Sequence, residues 1–249
     1  MSADEYVTFD PRIPKYTPVI TRAIISLIIV MYIVEIFFNA LYSEKAIILL
    51  GAKWNEGITQ GEYWRFITPV LLHGNLIHLL LNVIALNIFA NELESIYGTL
   101  RFLLIFLLSS WGATLTSYAF STGIAIGASG ALFGIIGGLI IFFFRQREKV
   151  TGATMKFKAM YTLVIINLLL GLFLPRIDNS AHLGGLITGL TVGWFISPEY
   201  HVEKDEQHEK LLIVKKADKN RVLSGLILII TILFWLTNLT INTYLSSGS

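Results

Sequence analysis

The chain has 249 residues, of which 54% are hydrophobic and only 14% charged, with a mean hydropathy of +0.67. That is too apolar for a soluble domain of this size and points to a bilayer. A net charge of +2, with the basic residues gathered in short loops, implies no nucleic-acid partner, and the absence of cysteine excludes disulfides, thiolate metal sites and a cysteine nucleophile.

The opening "MSADEYVTFDPRIPKYT" carries acids and two prolines but no apolar run, so residues 1–19 read as a short N-terminal segment without a signal peptide. A membrane-spanning helix needs about 20 mainly apolar residues. Seven stretches qualify, near 20–42, 75–91, 100–120, 127–144, 157–174, 180–197 and 222–245. The second and sixth carry histidines and are the weakest by hydropathy, yet removing either would put its neighbours on the wrong sides. The expected organisation is an all-α polytopic body over 20–197, a charged connector over 198–221 containing His201 and His208, and a seventh span within 222–249.

Cytoplasmic loops are enriched in Lys and Arg. Fifteen of the nineteen basic residues fall on the side of the N-terminal segment; Lys45, Lys53, Arg65 and Arg176 fall on the other. The chain is therefore expected to be a multi-pass protein of the cell membrane with its N-terminus cytoplasmic and its C-terminus outside. With that topology the second, fourth and sixth spans all begin on the outer side, and their outer ends read "HGNLIHLLLN", "GASGALFG" and "NSAHLGGLITGLTVG". Polar groups within a membrane usually face the bundle interior or a wet cavity. Three polar clusters at one depth argue for a single site opening outward.

His78 and Asn82 are four apart and stack on one helix face, where two side-chain donors can address one oxyanion. His182 lies at the mouth of the sixth span, where it can take the Ser129 proton as general base. Ser129 by itself reads better as a packing serine; what lifts it is the company of His182, His78 and Asn82. A metal site of His73, His78 and His182 is the other reading of the histidines, but no carboxylate or thiolate accompanies them at ligand spacing. Asp178, four residues before His182, suits a surface pair with Arg176 better than a third catalytic position. Gly130, Gly134 and Gly138 on the fourth span, and Gly185, Gly189 and Gly193 on the sixth, give each helix a smooth side. Close packing of these sides, with Gly185 near Gly130 or Gly134, is expected to bring Ser129 to His182.

Taken together, "EYWRFITPVLLHGNLIHLLLN", "ELESIYG", "GASGALFG" and "AHLGGL", in this order over roughly residues 62–193, resemble the rhomboid intramembrane serine proteases. The resemblance implies a rhomboid-like six-helix core followed by a seventh transmembrane helix. It further implies Ser129 as nucleophile, His182 as base, and an oxyanion hole from His78, Asn82 and the Ser129 N–H. Gly127 matches the glycine before the nucleophile, and Trp64 with Arg65 matches the first outer loop motif. Phe133 stands where some members stack a tyrosine on the catalytic histidine. The implied activity is cofactor-free hydrolysis of peptide bonds in or near transmembrane segments of other membrane proteins, with the lipid bilayer as medium. Oligomeric state is not readable. The rival is a non-catalytic rhomboid-like protein that binds membrane clients, whose relatives usually lack the serine or the histidine. A transporter would call for intramembrane acids, and Glu35 is the one candidate.

Overall fold

A computed structural model of the chain describes residues 16–148, 152–174, 177–205, 210–216 and 219–247. Arg12, Lys15, Lys149, Arg176 and His208 lie outside the described residues. Among the described residues seven long helices form the body: α1 (Val19–Tyr42), α2 (Leu76–Tyr97), α3 (Thr99–Phe120), α4 (Ser129–Arg145), α5 (Ala153–Phe173), α6 (Asn179–Ile196) and α7 (Lys219–Ser247). Helices α1, α2, α3, α5 and α7 are long and apolar enough to cross a membrane. Helix α4 is apolar but shorter, and it occupies the centre, with most of its residues buried. Between α1 and α2 the chain makes a series of short helical turns over Ser43–Lys45, Ala46–Leu49, Asn55–Thr59, Tyr63–Phe66 and Thr68–Leu71.

The second span runs six residues beyond its expected end at 91. Hydropathy stops there because Glu92 and Glu94 interrupt the apolar run, but the helix continues through a π turn at Leu86–Ala90 and ends at Gly98, whose φ of 83° suits glycine. Glu94 is buried and serves another helix. Its carboxylate accepts from Ile20 N at 3.0 Å, from Thr21 N and Oγ1 at 2.7 Å each, and from Thr99 Oγ1 at 3.1 Å. Helix α1 follows Pro18 without a side-chain cap of its own, so Glu94 supplies an acceptor for the N–H groups its first turn leaves unpaired. Glu92 pairs with Lys156 on α5.

Small residues let three helices meet at backbone distance. A Cβ built on Gly185 of α6 would lie 1.9 Å from the Gly130 carbonyl oxygen on α4, and one on Gly189 would lie 2.0 Å from that of Gly134. Helix α3 enters the same packing, since a Cβ on Gly134 would strike Ser109, and one on Gly112 would strike Thr188. Helix α7 lies against α3 and α6, where Trp111 Nε1 donates to Thr237 Oγ1 at 3.1 Å, Tyr118 faces Tyr244 at 5.5 Å, and Gly225 admits the ring of Phe195.

One element departs from the all-α expectation. Glu199–Asp205 and Lys210–Lys216 form an antiparallel hairpin within the connector, with Val202 opposite Ile213. The run "LLIV" at 211–214 is a short apolar, β-branched strand signal that the surrounding charge obscures. The hairpin is anchored where Glu199 pairs with Arg145 of α4 and Arg221 of α7.

Glu94→Ala should leave two backbone N–H groups of α1 buried without an acceptor, at about 1–3 kcal/mol each. Thermal unfolding in detergent is expected to show a clear loss of stability, with Glu94→Gln falling between the alanine variant and the native chain.

Candidate active site

Ser129 is the first residue of α4, so its N–H has no carbonyl one turn below to bond and remains a free donor at the positive end of the helix. The loop that delivers it, from Ser121 to Ala128, is fastened from the segment preceding α2. Lys53 is fully buried, and its Nζ donates to Ser121 O at 2.5 Å and to Gly123 O at 2.9 Å. Its backbone bridges Ala125 in both directions, at 3.0 and 3.2 Å. Burial pushes the Lys53 ammonium down to about 8, against the pull of Asp178 and Glu56. Two residues before the serine, Gly127 donates to Pro69 O at 2.9 Å with φ at +118°. A side chain there is strained by conformation and excluded by space, because a Cβ would lie 2.6 Å from His78 Cε1.

His182 sits in the second turn of α6, which Asp178 caps by accepting from Ala181 N at 3.0 Å. The His182 Nε2 lies 2.9 Å from Ser129 Oγ. Its imidazole is stacked on Phe133, one turn along α4 from the serine, with ring centroids 4.3 Å apart and planes within 11°. Asp178 does not orient this ring. Its carboxylate accepts from Ser117 Oγ on α3 at 2.5 Å and from Ser180 Oγ. Burial works against its charge, but these hydroxyls, the Ala181 N–H and Lys53 outweigh it and hold the carboxyl below its usual range. The expected surface pairing with Arg176 concerns a residue outside the described ones, while Asp178 itself faces inward as a helix cap.

His78 and Asn82 lie on α2, which Asn75 caps by accepting from His78 N at 2.8 Å. The His78 ring rests against Gly127, on the serine loop. Asn82 is buried one turn further on, and its Nδ2 donates to His78 O at 2.9 Å, leaving one amide hydrogen uncommitted. Trp64 is exposed, and Arg65 is buried. The buried guanidinium of Arg65 donates to Ile48 O and Ala52 O at 2.9 and 2.7 Å, pairs with Glu62, and lies 5.6 Å from the Trp54 ring. It thus knits the segment from which Lys53 and Pro69 reach the serine loop. Among the described residues no three His, Asp or Glu groups converge as a metal site. Lys53 was missed in the sequence, where its signal was a lone lysine inside the apolar run "ILLGAKW".

This is a multi-pass helical membrane protein with a serine–histidine pair at one end of its bundle. The rhomboid domain model matches residues 60–199, more than half of the chain, which therefore belongs to the rhomboid family. It is similar to "Rhomboid protease GluP" of Bacillus subtilis, with 36% identity over 69% of this chain and 34% of that protein. It is also similar to "RHOMBOID-like protein 5" of Arabidopsis thaliana, with 38% identity over 61% of this chain and 50% of that protein. A third relative, "Putative rhomboid protease YdcA" of Bacillus subtilis, is 34% identical over 57% of this chain and 71% of its own length. The match to the first two relatives takes in only a third to a half of their length.

Gly185→Ala would push a methyl group into the Gly130 carbonyl, and overpacking of this kind costs about 1–3 kcal/mol. Gly123→Ala, whose Cβ would meet nothing nearer than 3.6 Å, should be close to neutral. Thermal unfolding of the two variants in detergent is expected to separate them accordingly.

Proposed function

We propose that this chain is an intramembrane serine endopeptidase that cleaves other membrane proteins in or next to their transmembrane segments. The observation that carries the reading is the 2.9 Å separation of Ser129 Oγ and His182 Nε2 in a rhomboid-family chain. Relatives named as proteases support it. Nothing in a client-binding role calls for that contact.

In the proposed reaction Ser129 Oγ attacks the scissile carbonyl carbon while its proton passes to His182 Nε2. The carbonyl oxygen becomes an oxyanion beside the free Ser129 N–H, with the His78 imidazole and the spare Asn82 amide hydrogen as further donors. Collapse of the tetrahedral intermediate breaks the C–N bond, and His182 gives its proton to the departing amine. A water molecule, deprotonated by His182, then attacks the acyl-enzyme and releases the new carboxylate. A helical substrate hides its carbonyls in its own hydrogen bonds, so cleavable segments should carry helix-weakening residues near the cut. The distribution of basic residues supports a site opening on the outer side, with the N-terminus cytoplasmic and α7 ending outside.

Ser129→Ala and His182→Ala should each insert normally and lose at least about 10³-fold in cleavage of a single-span substrate. A fluorophosphonate should label the native chain at Ser129. His78→Ala or Asn82→Ala should lower turnover by about 10²-fold. Undiminished cleavage by either dyad variant would overturn the assignment. Independently, a reporter placed after α7 should be accessible from outside the cell and one inserted near Gly152 should not; the reverse pattern would overturn the orientation.

A further inference from the structure

Glu35 stands in the middle of the apolar run "YIVEIFF" of α1, where an ionisable side chain is costly and rarely retained without a use. It is only 5% exposed. Both carboxylate oxygens converge on one donor, the backbone N–H of His73, at 2.9 and 3.0 Å. An apolar residue would serve the stability of α1 better than a buried carboxylate so sparsely bonded. The bond instead fixes a place in the chain. His73 follows the Thr68–Leu71 turn and precedes Asn75, the cap of α2, so its N–H marks the point where the loop enters the helix carrying His78 and Asn82. The His73 side chain, 1% exposed, lies with its ring 5.1 Å from that of His78, at 59° between planes. The His78 ring also touches Gly127.

We propose that Glu35 is a positioning residue for the oxyanion side of the site, holding His73 so that its ring forms one wall for His78; the inference rests on the protease reading above. A continuous path of contact then leads from α1 through His73 and His78 to Gly127 and Ser129. Loss of the acceptor frees the entry to α2, and His78 loses the His73 wall that helps fix it against the serine loop. Because His78 addresses charge that develops only in the transition state, the loss falls on kcat rather than KM.

The test uses the full chain in proteoliposomes with a cleavable single-span substrate, comparing Glu35→Gln, Glu35→Asp, Glu35→Leu and Ser129→Ala. The glutamine oxygen reaches His73 N–H as the native one does, so kcat should stay within about threefold of the native value. Aspartate keeps the carboxyl group but is one methylene shorter, and leucine offers no acceptor. Both should lose about tenfold to a hundredfold in kcat with KM changed by less than about twofold. Native kcat in Glu35→Leu overturns the proposal, as does an order in which aspartate outperforms glutamine, or activity that simply follows melting temperature across the series. Should the leucine variant fail to fold, the order of glutamine and aspartate decides alone. Cleavage by Ser129→Ala would instead sink the protease reading; an inactive Ser129→Ala beside a native-like Glu35→Leu sinks only the role of Glu35.

Discussion

The contact on which this molecule turns is the approach of α6 to α4 at backbone distance. Ser129 and His182 lie on different helices, and a serine–histidine hydrogen bond tolerates only a few tenths of an ångström of error in their spacing. Glycines at 130, 134, 185 and 189 remove the side chains that would otherwise set that spacing, so the helices stop where peptide groups touch. Peptide groups are rigid, which makes the spacing reproducible in a way that interdigitated leucines would not. Ser109, Gly112 and Thr188 extend the same close packing to α3, so α4 is gripped from two sides.

A second regularity concerns charge. The buried Glu94, the half-buried Asp178 and the buried Glu35 each accept from backbone N–H groups: at the start of α1, at the start of α6 and just before α2. The buried cations Lys53 and Arg65 donate to backbone carbonyls in irregular chain. Each of these side chains therefore works where secondary structure leaves a peptide group unpaired, which in a dry interior would otherwise cost several kcal/mol. Helix ends and the turns between α1 and α2 are the places where a membrane protein has such groups. They are also where the serine loop is attached.

The long helices, their order and the three polar clusters were legible in the sequence because hydropathy and four-residue spacing are local signals. The likeness of Ser129, His182, His78 and Asn82 to a known constellation was legible in the same way, through short motifs. What was not legible is pairing at a distance. That Glu94 extends α2 in order to cap α1, or that Lys53 reaches across to Ser121, depends on which segments the fold brings together. Asp178 shows the same limit, since its spacing from His182 suits several roles and only the position of Ser117 on α3 decides where its carboxylate turns. The hairpin at 199–216 was hidden for a different reason: strand pairing supplied a partner that the charged flanks gave no cause to expect.

The proposed dyad has to orient its histidine without a carboxylate on Nδ1. In this structure the work is divided between two neighbours. Asp178 caps α6 and accepts nothing from the imidazole, so it governs where the helix starts and hence where the His182 backbone sits. Phe133 lies flat against the ring at 4.3 Å, so it governs the plane in which Nε2 points to Ser129. A ring held by stacking keeps its direction without a carboxylate hydrogen-bonded to it, and Phe133 rides on the same helix as the serine, one turn away. Any shift of α4 that moved the serine would thus carry the stacking surface with it, and the hydrogen bond between base and nucleophile is preserved as a unit rather than by three separately placed groups.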